Sequence, residues 1–205
     1  MKYWILAFAF VVTACQSSKN SSGHFFDAVV GKNQYEELFY DWTKEKRTQS
    51  EFDLVLLAKL TYWPQELRKA YVSERTQAFD LSAEESKALA YEQLAEHDQF
   101  FTFVLTAISR DKNWNDFTSN NSLWKIVLQG SEPISPARIE QIPYNDQVMQ
   151  YFYPTMTRFG ETYKLLFPKT PELKNAQKLK ISITGPRGRI DFEFENPDFM
   201  DASPL

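Results

Sequence analysis

Residues 178–195 read KLKISITGPRGRIDFEFE, and this stretch decides the fold class of the chain. Apolar residues occupy every second position from Leu179 to Ile183, and again from Ile190 to Phe194. A spacing of two is that of a β-strand with one buried face. The Gly-Pro-Arg-Gly segment between the two halves supplies the backbone angles of a tight turn. The stretch therefore predicts a β-hairpin whose inner face is apolar.

Outward from the hairpin, further segments typical of strands follow at short spacing. Residues 100–108 (FFTFVLTAI) are rich in aromatic and β-branched residues, which favour strands. Residues 52–63 are apolar on both faces, which predicts a central strand, and the polar residues 44–50 before them are interpreted as a turn. The remaining predicted strands cover 37–42, 123–129, 134–142 and 163–167. The total of about eight strands is typical of a single antiparallel β-sandwich with immunoglobulin-like architecture.

Residues 64–98 interrupt the strands with a helical pattern. Pro64 suits the start of a helix, because its missing N–H group would have no partner there. Ser82 and Glu85 have the spacing of a capping box, which starts a second helix. The apolar face of this helix, expected to pack on the sandwich, consists of Ala83, Ala90, Tyr91, Leu94 and Ala95. The predicted fold is therefore mainly β with a helical insertion (α+β), in which two short helices lie between strands; residues 145–153 predict one more short helix.

The composition of the 205 residues is that of a folded chain, since 43% are hydrophobic, 24% are charged and 16% are aromatic. A disordered chain lacks aromatic residues, so this class is excluded. The net charge of −4 and the pI near 5.3 argue against nucleic acid as a partner, because proteins that bind it carry basic patches. The single Cys excludes an intrachain disulfide framework and any metal site built from several Cys.

The N-terminal residues carry the clearest signal of location. Residues 3–12 (YWILAFAFVV) follow a short positive start and form an apolar run. The run is too short to span a bilayer, which takes about 20 residues, and it fits the core of a secretory signal peptide. The next residues, Val12-Thr13-Ala14-Cys15, resemble the lipobox of bacterial lipoproteins. This resemblance implies cleavage before Cys15, a thioether-linked diacylglycerol on its sulfur and an acylated amine, with acyl chains such as palmitate.

The lipoprotein resemblance also divides the chain. Residues 1–14 become the signal peptide, and residues 15–31 become the lipidated Cys and a flexible, Ser-rich tether. A β-sandwich domain follows at 32–196, and residues 197–205 form a C-terminal tail. Gln16 stands where enteric lipoproteins of the inner membrane carry Asp. The resemblance therefore implies an anchor in the outer membrane, and we expect the folded part on its periplasmic face rather than on the cell surface.

The second half of the folded part is similar to a group of uncharacterised envelope lipoproteins of Gram-negative bacteria. The residues that carry this similarity are Leu123-Trp124-Lys125, Ile139-Glu140-Gln141-Ile142 and Ile183-Thr184-Gly185-Pro186. The similarity implies no activity. Together with the lipobox, it predicts a lipoprotein that presents its folded part to the periplasm.

Residues that favour catalysis or metal binding are few. His97 ends the second predicted helix, where the helix dipole favours a His side chain, and no second His or Cys lies at metal-ligand spacing. Residues 111–116 (DKNWND) begin like a calcium loop, but Asp116 and Ser122 stand where EF-hand loops carry Gly and Glu. The motifs GxSxG, HExxH, GxGxxG and the P-loop do not occur. We therefore expect no catalytic residue, no metal site and no cofactor.

These observations predict a non-enzymatic accessory or binding module, tied to the membrane through Cys15 and acting with a protein partner in the envelope. Glu85, Glu92 and Glu96 are expected to form an exposed acidic face of the second helix that binds a basic partner. One alternative is a glycan- or lipid-binding module with exposed aromatic residues, for which the candidates are Tyr62, Trp63, Trp114, Tyr151, Phe152 and Tyr153. An envelope hydrolase is a further alternative.

Overall fold

The computed structural model describes residues 34–50, 53–111, 114–119 and 121–201. The predicted signal peptide, Cys15 and the tether lie outside these residues. The described residues form six helices and eight strands, which confirms an α+β fold. The elements in chain order are α1 (Gln34–Asp41), β1 (Thr43–Ser50), β2 (Asp53–Tyr62), α2 (Gln65–Ala78), α3 (Ala83–Gln99), β3 (Phe100–Ile108), β4 (Lys125–Gln129), β5 (Arg138–Ile142), α4 (Gln147–Phe152), β6 (Glu161–Pro168), α5 (Pro171–Lys174), β7 (Lys178–Gly185), β8 (Gly188–Glu195) and α6 (Asp198–Asp201). None of the described helices is both long and apolar enough to cross a bilayer.

The described strands form two antiparallel sheets. The larger sheet has the strand order β1-β2-β3-β6-β5, and the smaller sheet has the order β4-β7-β8. Both sheets contribute to one buried apolar cluster, in which Leu60, Phe103 and Leu165 of the larger sheet join Ile181 and Phe192 of the smaller one. This cluster is the main core of the described residues. The finer expectation, an immunoglobulin-like sandwich, stays a prediction.

The predicted hairpin is confirmed. β7 and β8 pair with Ile181 opposite Phe192 and Leu179 opposite Phe194, and all four side chains are buried. The turn depends on Gly188, whose φ of +144° is rarely adopted by residues with a side chain. A Cβ at this position would also lie 2.6 Å from a hydroxyl oxygen of β1. Glycine is therefore required both by the turn and by the neighbouring strand.

The first two elements differ from the prediction. Residues 37–42, predicted as a strand, belong to helix α1 and the turn after it. Tyr35 and Phe39, four residues apart, bury one helical face, whereas Tyr40 is exposed. Residues 44–50, interpreted as a turn, form most of β1, an edge strand whose side chains are largely exposed. An edge strand can pair through its backbone without an apolar face, so its polar sequence carried no strand signal.

The other predicted strands are confirmed: β3 has the predicted bounds, and the rest differ at one or both ends. β2 lies between β1 and β3, as expected of an interior strand. The predicted strand at 134–142 is reduced to β5, and Ile134 instead forms an isolated bridge with Leu128. The predicted helix at 145–153 is confirmed as α4, with Asp146 as its N-cap. The short helices α5 and α6 were not predicted, and α6 lies within the predicted C-terminal tail.

A second apolar cluster joins three helices to the larger sheet. It contains Tyr35 and Phe39 of α1, Tyr71 of α2, Phe152 of α4 and Val104 of β3. The rings of Tyr71 and Phe152 meet edge to face, with centroids 5.1 Å apart, which is a favourable aromatic geometry. This cluster fixes α2, and with it one side of the helical insertion, to the sheet.

Candidate functional site

The predicted helical insertion is confirmed as the two helices α2 and α3. Pro64 is the N-cap of α2 rather than its first helical residue. At the start of α3, the hydroxyl of Ser82 accepts a hydrogen bond from the backbone N–H of Glu85, and the Glu85 carboxylate accepts one from the Ser82 N–H at 2.9 Å. The capping box is therefore present. It provides acceptors for backbone donors that have no partner within the first turn.

Helix α3 does not pack through its predicted apolar face. The five residues of that face, Ala83, Ala90, Tyr91, Leu94 and Ala95, are all exposed. Tyr91 is 62% exposed and Leu94 is 43% exposed. The helix instead turns Leu89, Gln93 and Glu96 inward, and among its residues only His97 is buried. The prediction is wrong because α3 is held mainly by polar contacts, which a search for apolar periodicity does not detect.

A groove with a volume of about 500 Å³ runs between α2 and α3. Its apolar lining comes from Val72 of α2 and from Ala90 and Leu94 of α3. Its charged lining consists of Arg68 and Lys69, and no carboxylate of the described residues lines it. Sites for small molecules have volumes of about 300–1,000 Å³ and mostly apolar walls, so this groove has the size and character of a binding site.

Buried charges fix the groove to the larger sheet. The guanidinium of Arg68 donates to Glu96 Oε1 at 3.0 Å and to Thr102 Oγ1 of β3 at 2.7 Å. The other oxygen of Glu96 accepts from Lys164 Nζ of β6 at 2.5 Å. Burial raises the pKa of Glu96, but the ion pairs with Lys164 and Arg68 outweigh burial and leave this pKa below its usual range. Burial lowers the pKa of Arg68, although a guanidinium stays protonated at neutral pH.

A second, polar pocket of about 330 Å³ adjoins the groove. Gln65 and His97 line both cavities. Gln65 is the first residue of α2 and His97 lies in the last turn of α3, so the pocket continues the groove at this end of the helix pair. The other residues that line the pocket are Asp98, Lys169, Lys174 and Asp198.

Lys169 and Asp198 form the central ion pair of the pocket. Lys169 Nζ lies 2.5 Å from Asp198 Oδ2, and the Lys169 side chain is only 4% exposed. The same Nζ lies 3.4 Å from His97 Nδ1 and 4.9 Å from the centre of the Phe101 ring. Asp198 Oδ1 lies 3.5 Å from His97 Nε2. Burial lowers the pKa of Lys169, and the hydrogen bond and charge of Asp198 act in the opposite direction.

The same surroundings keep His97 neutral at pH 7. Burial, followed by the positive charge of Lys169, lowers the pKa of His97 from 6.5 to about 4, although Asp198 opposes the change. A side chain with this pKa is a weak base, so the pocket is better suited to binding than to proton transfer. The prediction placed His97 at a helix end but missed its partners, because Lys169 lies 72 residues away in the chain.

The three predicted partner-binding residues do not share one environment. Glu85 and Glu92 are exposed, and the hydrogen bonds of the capping box lower the pKa of Glu85. Glu96 is turned inward between the cations of α2 and β6, so its expected exposed position is wrong. None of the three lines the groove. The binding role of Glu85 and Glu92 stays a prediction, and Cys15 lies outside the described residues.

Most of the rings named for glycan or lipid binding belong to the core. Four of the six candidates, Tyr62, Trp63, Phe152 and Tyr153, are buried. Trp114 is half-buried, with the guanidinium carbon of Arg187 3.9 Å from its ring centre. Tyr151 is 52% exposed. These candidates therefore form no exposed row of rings on which a sugar could stack.

The loop that begins like a calcium site is only partly described, because residues 112 and 113 lie outside the described ranges. The carboxylate of Asp116 accepts hydrogen bonds from the backbone N–H groups of Thr118 and Ser119. It therefore stabilises its own loop, as Asp side chains do in turns. Within the described part of the chain, no group of three His, Cys, Asp or Glu side chains is placed to hold a metal ion.

No protein-family model, curated protein or solved structure matches this chain. The similarity to envelope lipoproteins therefore stays a prediction from the sequence. The case for a function depends on the groove between α2 and α3 and on the polar pocket that continues it.

Proposed function

We propose that this protein is a non-enzymatic accessory or binding module, anchored by lipid on Cys15 in the outer membrane and facing the periplasm. The lipobox-like residues 12–15 support the anchor. The two antiparallel sheets, which we propose to pack as an immunoglobulin-like sandwich, are the rigid scaffold of the module. The helical insertion between β2 and β3 adds a cavity to this scaffold, which supports a binding role.

The observation that carries the binding role is the preformed groove between α2 and α3. Val72, Ala90 and Leu94 give it apolar walls that no described segment covers. Arg68 and Glu96 link the two helices to each other and to the sheet, so the cavity does not depend on mobile loops. A preformed cavity binds its ligand with little loss of conformational entropy, which favours affinity.

The chemistry of the adjoining pocket supports binding rather than catalysis. Its two buried basic groups are Lys169, which is paired with Asp198, and His97, whose pKa of about 4 makes it a weak base. Neither of these two groups is suited to remove a proton from a substrate near pH 7. This arrangement supports the expectation of a non-enzymatic role over the alternative of an envelope hydrolase.

Photo-cross-linking in cells tests the groove as a binding site. The photoreactive residue benzoylphenylalanine replaces Leu94 in the full-length chain, and we expect a covalent adduct after irradiation. The matched control carries the same residue at Glu92, which is exposed on the same helix but does not line the groove. Equal labelling at both positions, or no adduct at Leu94, would show that the groove is not a binding site.

A second candidate function is docking of a basic protein partner on α3. The observation that favours it is the exposure of Glu85 and Glu92 on a part of α3 that leaves the groove open. The test combines Glu92→Lys with Glu85→Gln, since Gln can replace Glu in a capping box. We expect the combined variant to lose a protein from the set cross-linked in cells, and Glu132→Lys, exposed in the loop after β4, to keep it. An unchanged set in the combined variant contradicts this docking role.

A further inference from the structure

We infer that the groove and the polar pocket together bind one single-chain phospholipid, a lysophospholipid, with its acyl chain along α2 and α3 and its head group in the pocket. This inference rests on the proposed function, because it names the ligand of the same site. Three features of the described residues carry it. They are the continuity of the two cavities, the division between apolar and polar lining, and the charges of the pocket.

The two cavities form one elongated site. Gln65 and His97 line both of them, so the groove leads into the pocket. The groove-lining residues of α2 extend from Gln65 to Gln77, which at the rise of a helix corresponds to about 18 Å. This length suits an extended acyl chain. The volumes of about 500 Å³ and 330 Å³ suit one chain and one head group rather than a pair of chains.

The lining changes character along the site. Val72, Ala90 and Leu94, with the aliphatic parts of the neighbouring polar side chains, give the groove a mostly apolar surface, where burying methylene groups is favourable. The surface of the pocket is more polar, with the side chains of Asp98, Lys174 and Asp198 in its lining. A ligand that fits both parts must join an apolar chain to a polar group, which is the chemistry of a lipid amphiphile.

The charges of the pocket select the head group. Lys169 and Asp198 are paired with each other, which leaves Lys174 and Asp98 as the exposed charges of the pocket. The ammonium group of Lys174 is suited to donate to a phosphate, and the carboxylate of Asp98 accepts from donors of the ligand. The hydroxyl or ammonium groups of a phospholipid head supply such donors, whereas a fatty-acid carboxylate would supply none. The mixed lining therefore favours a phosphodiester head group over a simple carboxylate.

The mass of the adduct at Leu94 tests the inference. Full-length protein with benzoylphenylalanine at Leu94 is irradiated in cells, and the purified chain is measured by mass spectrometry. We expect an added mass equal to one lysophospholipid. A protein adduct, a fatty acid or a diacyl phospholipid would overturn the inference while leaving the groove a binding site. If no adduct forms at Leu94, the proposed function fails as well.

A second measurement tests the position of the head group. Lys174→Glu, combined with benzoylphenylalanine at Leu94, should reduce the yield of the lysophospholipid adduct about tenfold, as expected when a cation at a phosphate is reversed. The matched control is Lys87→Glu, an exposed Lys of α3 that lines neither cavity. Circular dichroism checks that both variants are folded. Equal adduct yields from the two variants would overturn the assignment of the pocket to the head group.

Discussion

Glu96 is the residue that links the helical insertion to the sheet. Its two carboxylate oxygens accept hydrogen bonds from Arg68 of α2 and Lys164 of β6, and its side chain is 15% exposed. We expect Glu96→Lys to lower the free energy of unfolding by about 3–5 kcal/mol. The substitution removes the carboxylate that pairs with Arg68 and Lys164 and places a third positive charge beside them. Urea denaturation at pH 7 measures this loss.

Glu92→Lys is the control for this prediction. Glu92 lies on the same helix, carries the same charge and is exposed, so its replacement should change the free energy of unfolding by less than about 0.5 kcal/mol. Similar losses in both variants would mean that Glu96 does not contribute a specific ion pair. The pair of variants also tests whether Glu92 and Glu96 belong to one exposed acidic face, as the sequence predicts, or to two different environments.

His97 gives the protein a dependence on pH that can be measured. Its pKa is lowered from 6.5 to about 4 in the folded chain, so the unfolded chain binds a proton first as the pH falls below 6.5. The stabilisation is therefore complete above pH 6.5 and is lost as the pH falls toward 4. Between pH 7 and pH 4.5 we expect the protein to lose about 2 kcal/mol more than His97→Gln. Urea titrations at several pH values measure the difference, and parallel curves for the two proteins would contradict it.

At the scale of the element, the packing of α3 on the rest of the fold depends on a narrow strip of inward-facing residues. Leu89 packs against the second apolar cluster, whereas Leu94 is 43% exposed beside the groove. We expect Leu89→Ala to lower the free energy of unfolding by about 1–2 kcal/mol and Leu94→Ala to change it by less than about 0.5 kcal/mol. Thermal and urea denaturation compare the two. The opposite order would support the apolar face predicted from the sequence.

The strands could be predicted where the alternation of side chains and the residues of the turn both indicate the same pairing. In the hairpin, alternation places Ile181 and Phe192 on the buried face, and the glycine turn fits only one register. In β1 no alternation of apolar and polar residues indicates a strand, because this edge strand pairs with β2 through its backbone and most of its side chains are exposed. In α1 the pattern is ambiguous. Apolar residues at 38, 40 and 42 are typical of a strand, but the same short segment also fits a helix that buries Tyr35 and Phe39.

The candidate site could be predicted only in part. The capping box located the start of α3 because its two residues are three positions apart and interact directly. Arg68, Lys169 and Asp198 belong to three separate segments, and nothing local distinguishes them from charged residues on a surface. Burial changes their role, but burial of a charged residue depends on partners that only the folded chain brings together.

At the scale of the whole molecule, the proposed anchor and the proposed ligand belong to the same environment. If Cys15 is lipidated as proposed, the eight polar residues 16–23 that follow it would have, as a random coil, a root-mean-square reach of roughly 16 Å. Such a tether would favour a position of the folded part near the bilayer, into which a single-chain phospholipid partitions. The proposed anchor would then keep the groove near its proposed ligand.

The anchor itself gives the last prediction. Cys15→Ala removes the sulfur that the lipobox resemblance assigns to the diacylglycerol, so we expect the variant to stay unprocessed or to leave the membrane fraction. Two or more acyl chains are needed for stable anchoring, so loss of the lipidated Cys should abolish it. Cell fractionation and the mass of the N-terminal peptide measure the effect. Ser17→Ala, in the tether, is the control and should be processed and retained normally. If the Cys15→Ala chain is processed and fractionates with membranes as before, the lipobox interpretation is wrong and the module reaches its ligand by another route.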